Sequence, residues 1–134
     1  MRTNTMTPVR LHPGQDLRGA LEALLGAHGE QAGFVVAGIG SLSVAMLRFA
    51  GAPTATALHG DLEIVSLAGS LSVDGAHLHM AVSDAQGRVT GGHVGPGCIV
   101  RTTAEILVCF LPGRRFTRPT DAGTGYLELD VGDA

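Results

Sequence analysis

The sequence predicts an α+β fold, in which a mostly antiparallel β-sheet carries one main helix near the N-terminus. Three observations support this prediction. A single stretch, residues 16–28, has apolar residues at helical spacing. Most of the chain after residue 34 consists of short apolar segments with β-branched residues or period-two alternation, separated by glycines. The length of 134 residues, of which 45% are hydrophobic, suits a single domain with its own core.

The predicted helix begins at Asp16, a residue typical of a helix N-terminus, and ends before Gly29, a residue typical of the position after a helix. Its apolar residues recur three and four positions apart, as on one face of an α-helix: Leu17, Ala20, Leu21, Leu24 and Leu25. Such a face packs against a core more often than it binds a partner, so we expect it to be buried.

The first two predicted strands flank a segment with two glycines. Residues 34–37 form a short apolar run typical of a buried strand, and residues 44–49 form a second strand. Between them, Gly38-Ile39-Gly40 lacks both the third glycine of a dinucleotide-binding fingerprint and the helix that would follow it. We therefore expect a turn at this position.

Further strands are predicted from alternation and composition. Residues 61–71 contain two sets of side chains that would lie on opposite faces of a strand. One set is Leu62, Ile64, Ser66 and Ala68, and the other is Glu63, Val65 and Leu67. Residues 98–110, which are rich in β-branched side chains, and residues 126–131 are also predicted strands.

A predicted β-hairpin contains the chemically distinctive residues of the chain. His77 and His79 are two positions apart in the strand formed by residues 76–83, so both imidazoles leave the same face, roughly 7 Å apart. Residues 84–87, Asp-Ala-Gln-Gly, are typical of a turn, and residues 88–93 would return antiparallel.

The position of His93 depends on how this hairpin closes. If Ser83 pairs with Gly87, His93 faces His77 directly. If Ser83 pairs with Arg88, His93 falls on the other face unless a bulge intervenes, and the two glycines before His93 are a natural bulge site. The register therefore decides whether the three histidines converge.

Three converging imidazoles would suit zinc or a similar divalent metal and would leave one coordination position open. The alternative is three half-exposed histidines on a sheet face with nothing bound, because a His-x-His pair without a fixed third partner is not specific. His12, His28 and His59 are isolated, and we expect them at the surface.

Two further groups are candidates for function. Glu105 lies in an otherwise apolar strand and is a candidate general base or support for a metal ligand, although an edge-facing or ion-paired glutamate is commoner. Arg114, Arg115 and Arg118 lie in the basic run of the chain and are candidates for contacts with an anion or DNA, although a solvated loop is commoner.

The charge of the chain disfavours binding to nucleic acid through phosphate neutralisation. The nine basic residues are all arginine, the acidic residues number 12, and the formal net charge is −3. That mode of binding needs a clustered basic surface. Aromatic residues make up only 4% of the chain, which leaves few platforms on which bases could stack.

The two cysteines are predicted to be free thiols. Cys98 and Cys109 are an odd number of positions apart in one predicted strand, so they would point to opposite faces, about 36 Å apart. A disulfide between them is not expected, and free thiols are typical of the cytoplasm. We also predict no secretory signal and no membrane-spanning stretch.

Four segments follow one another along the chain: RLHPGQDL at residues 10–17, GIGSL at 38–42, GDLEIVSLAGSL at 60–71, and HLH at 77–79 with DAQGRVTGGH at 84–93. In this order and spacing they resemble the plants and prokaryotes conserved (PPC or PCC) domain family. The resemblance extends over residues 10–131, nearly the whole chain. We expect these residues to form the domain, with short tails at residues 1–9 and 132–134.

The resemblance implies an antiparallel α+β fold that assembles as a homotrimer. Prokaryotic relatives often keep the three histidines, which implies a metal site at His77, His79 and His93. In plants the domain follows AT-hook segments in nuclear DNA-binding regulators, and prokaryotic members are regarded as DNA-binding for that reason. This chain has no Arg-Gly-Arg-Pro hook, and its Arg118-Pro119 lacks the preceding glycine. The segment that grips the minor groove is therefore missing.

Two classes of function follow from these observations. The first is a stand-alone, homotrimeric, metal-carrying binding module that would bind protein partners or a small-molecule ligand. It would be a DNA-binding or transcription-associated protein, with direct DNA binding disfavoured by its charge. The alternative is a small metal-dependent enzyme of hydrolase or lyase type. It would use the open position of a three-histidine site, with Glu105 or a neighbouring aspartate as the base.

Overall fold

The structure, a computed structural model, describes residues 3–134. The helices and strands within this range are, in chain order, β1 (Thr5–Leu11), α1 (Leu17–Glu22), α2 (Leu24–His28), β2 (Ala32–Arg48), β3 (Thr56–Ser72), β4 (Gly75–Ser83), β5 (Val89–Val94), β6 (Ile99–Phe110), β7 (Arg114–Thr117) and β8 (Asp130–Asp133). The pairings between these strands are antiparallel. The predicted α+β fold, a mostly antiparallel sheet with a short helical segment near the N-terminus, is confirmed.

Six strands form one sheet, in the order β1-β6-β2-β3-β4-β5, and β7 and β8 form a separate pair. The end of β2 also pairs with β5, where Leu47 lies opposite Val94 and Arg48 lies opposite His93. The sheet therefore curls back on itself, so that β2, β3, β4 and β5 form a closed ring. This closure places the end of β2 beside the β4–β5 hairpin that carries the histidines.

The helical segment packs its apolar face on the sheet, as predicted. Leu17, Leu21 and Leu25 are 0%, 0% and 4% exposed and belong to the same buried cluster as the core side chains of the strands. The segment is divided at Ala23 into α1 and α2, whereas the sequence predicted one helix. It ends at Gly29, which adopts a left-handed conformation with φ of 65°.

Asp16 fixes the start of α1 to the loop before β6. Its carboxylate accepts a hydrogen bond from the Gly19 N–H at 2.8 Å and another from the Gly97 N–H at 2.6 Å. The Leu17 N–H donates to the carbonyl of Cys98 at 2.8 Å. The first of these contacts is an N-cap, which satisfies an N–H that the helix itself leaves free. The other two hold the helix against the sheet.

The predicted turn at Gly38-Ile39-Gly40 is wrong, because these residues lie inside β2. The strands predicted on either side of them are parts of this one strand of 17 residues. A Cβ atom on Gly38 would lie 2.9 Å from Cδ2 of Leu67, and one on Gly40 would overlap the backbone of Thr103. These glycines therefore permit close packing against neighbouring strands, a role that a sequence pattern does not distinguish from a turn.

The alternation predicted for β3 is correct only in its first half. Leu62 and Ile64 are buried, but the register against β4 shifts between Ile64 and Ser66. Beyond this shift Leu67 is 1% exposed and Ala68 is exposed. A bulge adds one residue to a strand and so moves the following side chains to the other face.

The two ends of the described chain differ from the prediction. β1 was not predicted; it is an edge strand that pairs along its length with β6. An edge strand tolerates Pro8 because one of its sides is not paired. Proline is rare in strands, so its presence is one reason why the sequence did not predict β1. Near the C-terminus, the predicted strand at residues 126–131 is wrong in extent. β8 begins only at Asp130, and Leu127 makes an isolated bridge with Thr120.

The prediction of two free cysteines is confirmed. Cys98 and Cys109 are both free; Cys98 is buried and Cys109 is half-buried. Burial is the main cause that raises the pKa of the Cys98 thiol, so the thiol stays protonated. Within residues 3–134, the helices are too short to cross a lipid bilayer.

Candidate metal centre

The β4–β5 hairpin positions the three histidines through its turn. The Asp84 carboxylate oxygen Oδ1 accepts hydrogen bonds from the N–H groups of Gln86 and Arg88, both at 2.9 Å. Gly87 occupies the left-handed region, with φ of 78°. These contacts close a loop in which Ser83 pairs with Val89.

This register differs from both closures considered from the sequence. Since Ser83 pairs with Val89, His93 lies directly opposite His79, and not opposite His77 as it would if Ser83 paired with Gly87. No bulge is needed to bring His93 onto the correct face, because Gly91 and Gly92 pair regularly with β4. A Cβ atom on Gly92 would lie only 2.8 Å from the carbonyl oxygen of Arg48. The glycine therefore permits β2 to approach β5.

The structure brings His77, His79 and His93 together. The ring centroids are 4.5 Å apart for His79 and His93, 4.9 Å for His77 and His79, and 5.6 Å for His77 and His93. Nε2 of His79 and Nδ1 of His93 lie 3.1 Å apart, within hydrogen-bond distance. One nitrogen from each ring can be chosen so that all three lie within 4.8 Å of one another.

This donor set fits a divalent metal ion. Zinc with tetrahedral geometry and bonds of about 2.0–2.1 Å places two imidazole nitrogens about 3.3 Å apart. The distance of 3.1 Å between Nε2 of His79 and Nδ1 of His93 is close to this value, and a nitrogen of His77 lies within 4.8 Å of both rings' nitrogens. Three protein ligands leave the fourth tetrahedral position free, which is the arrangement of open rather than closed zinc sites.

The surroundings of the histidines favour their neutral form. The pKa of His77 lies below its usual 6.5, mainly because burial disfavours the charged ring. The positive charges of Arg118 and of the neighbouring histidines lower this pKa further, whereas Glu128 raises it. The pKa of His93 is lowered by burial, then by Arg48 and His79. Both rings are therefore neutral near pH 7, which is the form that binds a metal ion.

The three imidazoles line a cavity with a volume of about 990 Å³. Its wall includes the loop after β2, at residues 50–55, and the segment at residues 126–128. Arg18, Arg48, Arg118 and Glu128 also line it. The volume is at the upper end of the range of small-molecule sites, about 300–1,000 Å³.

Arg18, Arg48 and Glu128 were not identified as cavity residues from the sequence. Arg48 reaches the histidines only because β2 pairs with β5, far away in the chain, and no local pattern signals this contact. Glu128 lies in a segment predicted to be a strand, where it had no feature to distinguish it. The sequence contained no signal that would have found either residue.

The other candidates from the sequence are placed as follows. Glu105 is exposed on β6 between Arg10 of β1 and Ile39 of β2, where it lines two smaller cavities and not the histidine cavity. Arg114 forms an ion pair with Asp133 at 2.9 Å, and Arg115 donates to the Gln31 side chain at 2.6 Å.

Among the three candidate arginines only Arg118 lines the histidine cavity. The isolated histidines, His12, His28 and His59, are exposed, as predicted. His28 stacks on the ring of Phe110, with centroids 4.3 Å apart.

Known proteins with similar sequences and structures identify the family. The model of the Plants and Prokaryotes Conserved (PCC) domain matches residues 2–112. A bifunctional protein GlmU of Synechococcus sp. (strain JA-2-3B'a(2-13)) is 51% identical over 124 residues, which are 92% of this chain and 20% of that protein. The chain thus spans about a fifth of the length of the curated relatives it matches.

Two solved structures show the same fold over nearly the whole chain. A hypothetical protein from Salmonella cholerae-suis has a TM-score of 0.93 and 40% identity, covering 98% of this chain and 95% of its own. A metal-containing protein from Archaeoglobus fulgidus has a TM-score of 0.80 and 26% identity, covering 92% of this chain and 91% of its own. Together with the match to the family model, these similarities show that the chain belongs to the Plants and Prokaryotes Conserved (PCC) domain family.

Proposed function

We propose that this PCC domain is a metal-carrying binding module, which holds a divalent ion at His77, His79 and His93 and binds a small ligand at the open side of the ion. The observation that carries the proposal is the convergence of one nitrogen from each ring within 4.8 Å, inside a cavity of ligand size. The related protein from Archaeoglobus fulgidus contains a metal, which supports the proposal.

Zinc is the ion that we propose. Imidazole nitrogen suits zinc well, and three protein ligands with an open position are typical of zinc sites that bind a further ligand. When bound, such an ion supplies Lewis-acid polarisation of a ligand oxygen. The chain's own contribution is to hold three neutral imidazoles and to give the ligand access from the cavity.

Elemental analysis of protein purified without chelator tests this proposal. We expect about one zinc ion per chain, and none in the double variant His77→Ala, His79→Ala. The matched control is His12→Ala with His59→Ala, which removes two exposed histidines outside the cavity and should leave the zinc content unchanged. Wild-type protein that binds no stoichiometric metal, even after dialysis against zinc, would contradict the proposal.

We further propose that the domain assembles as a homotrimer. A monomer would expose Phe34, Val36, Ile39 and Val65 on β2 and β3, each between 40% and 54% exposed, and burial of such side chains stabilises association. Light scattering after size exclusion should give three times the chain mass of 13.7 kDa. The double histidine variant should keep this mass, because its substitutions lie in the cavity. A monomeric mass for the wild type at micromolar concentration would refute the trimer.

A second candidate function, a metal-dependent hydrolase or lyase, is favoured by one observation. Glu128 lines the same cavity as the histidines and provides a carboxylate able to accept a proton there. Glu105, the base considered from the sequence, lines other cavities. Activity against a panel of small esters and hydroxy acids should then be lost in Glu128→Gln while zinc remains bound. Equal activity in this variant would eliminate Glu128 as the base.

The location that we propose is the cytoplasm. The thiols of Cys98 and Cys109 are both free, which is typical of proteins in a reducing compartment.

A further inference from the structure

The cavity around the histidines is positively charged, although the chain as a whole is negative. Three of the nine arginines line it, with Glu128 as the acidic residue among its lining residues. The lining residues therefore have a formal surplus of two positive charges, which the ion pair of Arg18 with Glu22 reduces to one, in a chain whose formal net charge is −3. A bound divalent ion would increase this surplus. Such a concentration of positive charge in a concave site favours an anionic ligand.

Arg48, His93 and His79 occupy paired positions on three neighbouring strands. Arg48 lies directly opposite His93 in the β2–β5 pairing, and His93 lies directly opposite His79 in the β5–β4 pairing. Side chains that are directly opposite on neighbouring antiparallel strands project from the same face and lie about 5 Å apart at Cβ. The register of three strands therefore places the Arg48 side chain next to His93, and it lines the cavity that contains the histidines.

Arg118 also lines the cavity, and two hydrogen bonds hold it in place. Its backbone N–H donates to the Asp74 carboxylate at 2.8 Å, and its Nη2 donates to the carbonyl of Leu127 at 2.9 Å. These two contacts fix both ends of the residue. Its charge is close enough to His77 to contribute to the lowered pKa of that ring.

Both guanidinium groups retain donors for a ligand. Among the described residues neither Arg48 nor Arg118 forms an ion pair with a carboxylate. Nη1 of Arg48 donates to the carbonyl of Ala52 at 3.3 Å, and Arg118 has the one side-chain bond to Leu127. A guanidinium has five N–H donors, so most of them stay free.

Arg18, the third arginine of the cavity, is different. Its Nε pairs with Glu22 at 3.2 Å and its Nη1 donates to the carbonyl of Val94 at 2.9 Å. This residue is committed to holding α1 against β5. Arg48 and Arg118 are therefore the two cavity arginines whose charge is not already neutralised by a carboxylate.

We propose that the ligand of this cavity is a small organic anion, whose carboxylate or phosphate group is bound by Arg48 and Arg118 while one of its oxygens reaches the open side of the metal ion. This inference rests on the proposed metal site. The cavity wall also includes Ala50, Pro53 and Leu127, which would contact an apolar body and so favour an organic anion over an inorganic one.

Calorimetric titration of zinc-loaded protein tests the inference. The probes are lactate for a carboxylate and glycerol 3-phosphate for a phosphate, with lactamide and glycerol as their uncharged counterparts. We expect saturable binding of at least one anion and none of the uncharged compounds. The anion that binds more tightly identifies the charged group of the ligand.

Arginine variants identify the residues that bind the anion. Arg48→Gln and Arg118→Gln should each weaken binding by about tenfold or more, because each removes charge-assisted hydrogen bonds. Arg101→Gln is the matched control, since this exposed arginine pairs with Asp61 at 3.2 Å and lies outside the cavity lining. Arg48→Lys keeps the positive charge and should retain part of the affinity for the anion. Partial binding by this variant would show that the loss in Arg48→Gln is not caused by misfolding.

Two results would overturn the inference. One is a zinc-loaded wild type that binds neither anion. The other is equal anion affinity in the wild type, Arg48→Gln and Arg118→Gln. The zinc content of every sample is measured in parallel, so a failure of the metal site itself would be recognised separately from a failure of anion binding.

Discussion

His79 and His93 face each other directly across β4 and β5, with Nε2 of the first 3.1 Å from Nδ1 of the second. This hydrogen bond needs one of the two nitrogens to carry a proton. A metal ion bound between the rings would replace that proton and the hydrogen bond with two coordination bonds. The arrangement therefore holds two ligands in place in the absence of metal.

Zinc should raise the stability of the folded chain. An ion that binds only the folded state stabilises it by about 2.7 kcal/mol at a free concentration of 100 times Kd. Differential scanning calorimetry should therefore show a higher Tm with zinc than with chelator, and His93→Ala should abolish the difference. His59→Ala, which removes an exposed histidine elsewhere, should keep it. A Tm that does not respond to zinc in the wild type would contradict this prediction.

The metal-free protein should lose stability as the pH falls. The folded-state pKa values of His77 and His93 lie below the usual 6.5, so the unfolded chain binds protons more readily than the folded chain. Stability is then fully present above about pH 6.5 and decreases as the pH falls through the lower folded values. The free energy of unfolding, from urea titrations of chelator-treated protein between pH 7.5 and 5.5, measures this change.

The matched variant for the pH experiment is His77→Gln, which removes one of the two groups with a lowered pKa. We expect a smaller decrease in stability over the same pH interval. If wild type and variant have equal slopes, His77 does not contribute to the pH dependence.

Gly92→Ala should disturb the contact between β2 and β5. The added Cβ would lie 2.8 Å from the carbonyl oxygen of Arg48, which belongs to the backbone and cannot rotate away. We expect a loss of about 1–3 kcal/mol in stability, typical of forced overpacking, together with weaker zinc binding. Urea unfolding and a zinc titration measure the two effects.

Gly26→Ala is the control for the glycine experiment. Gly26 lies in α2, and a Cβ atom added there would have no neighbour within 4 Å. Alanine has the higher helix propensity, so this variant should gain up to about 1 kcal/mol. A Gly92→Ala variant as stable as the wild type would show that β2 and β5 can separate without cost.

Direct DNA binding should be absent at physiological salt. The net charge is −3, and the side chains of Arg114 and Arg115 are engaged by Asp133 and Gln31. A mobility-shift titration should show no complex at micromolar protein. A shifted band that weakens with added salt and disappears in Arg114→Ala, Arg115→Ala would contradict the prediction.

The sequence predicted the part of the site that depends on local geometry. His77 and His79 share a face because side chains alternate along a strand, and this holds wherever the strand lies. The position of His93 could not be predicted, because it depends on the Asp84 side chain, which binds two backbone N–H groups and sets the pairing of Ser83 with Val89.

The position of Arg48 near the histidines could not be predicted for a different reason. It depends on the closure of β2 onto β5, a contact between distant parts of the chain. The same limit explains the error at Gly38 and Gly40. In the sequence, a strand glycine that permits close packing of a neighbouring strand cannot be distinguished from a glycine in a turn. Only the structure shows which strand packs against it.

The carboxylate of Asp16 accepts hydrogen bonds from two amides that are far apart in sequence, Gly19 in α1 and Gly97 before β6. When the Asp16 carboxylate moves away, both hydrogen bonds break together and both N–H groups become exposed to solvent. Hydrogen exchange of these two amide protons should therefore proceed through one shared opening, at similar rates, and Asp16→Ala should accelerate both. The first turn of the helix and the loop that follows the β4–β5 hairpin would then open as one cooperative unit.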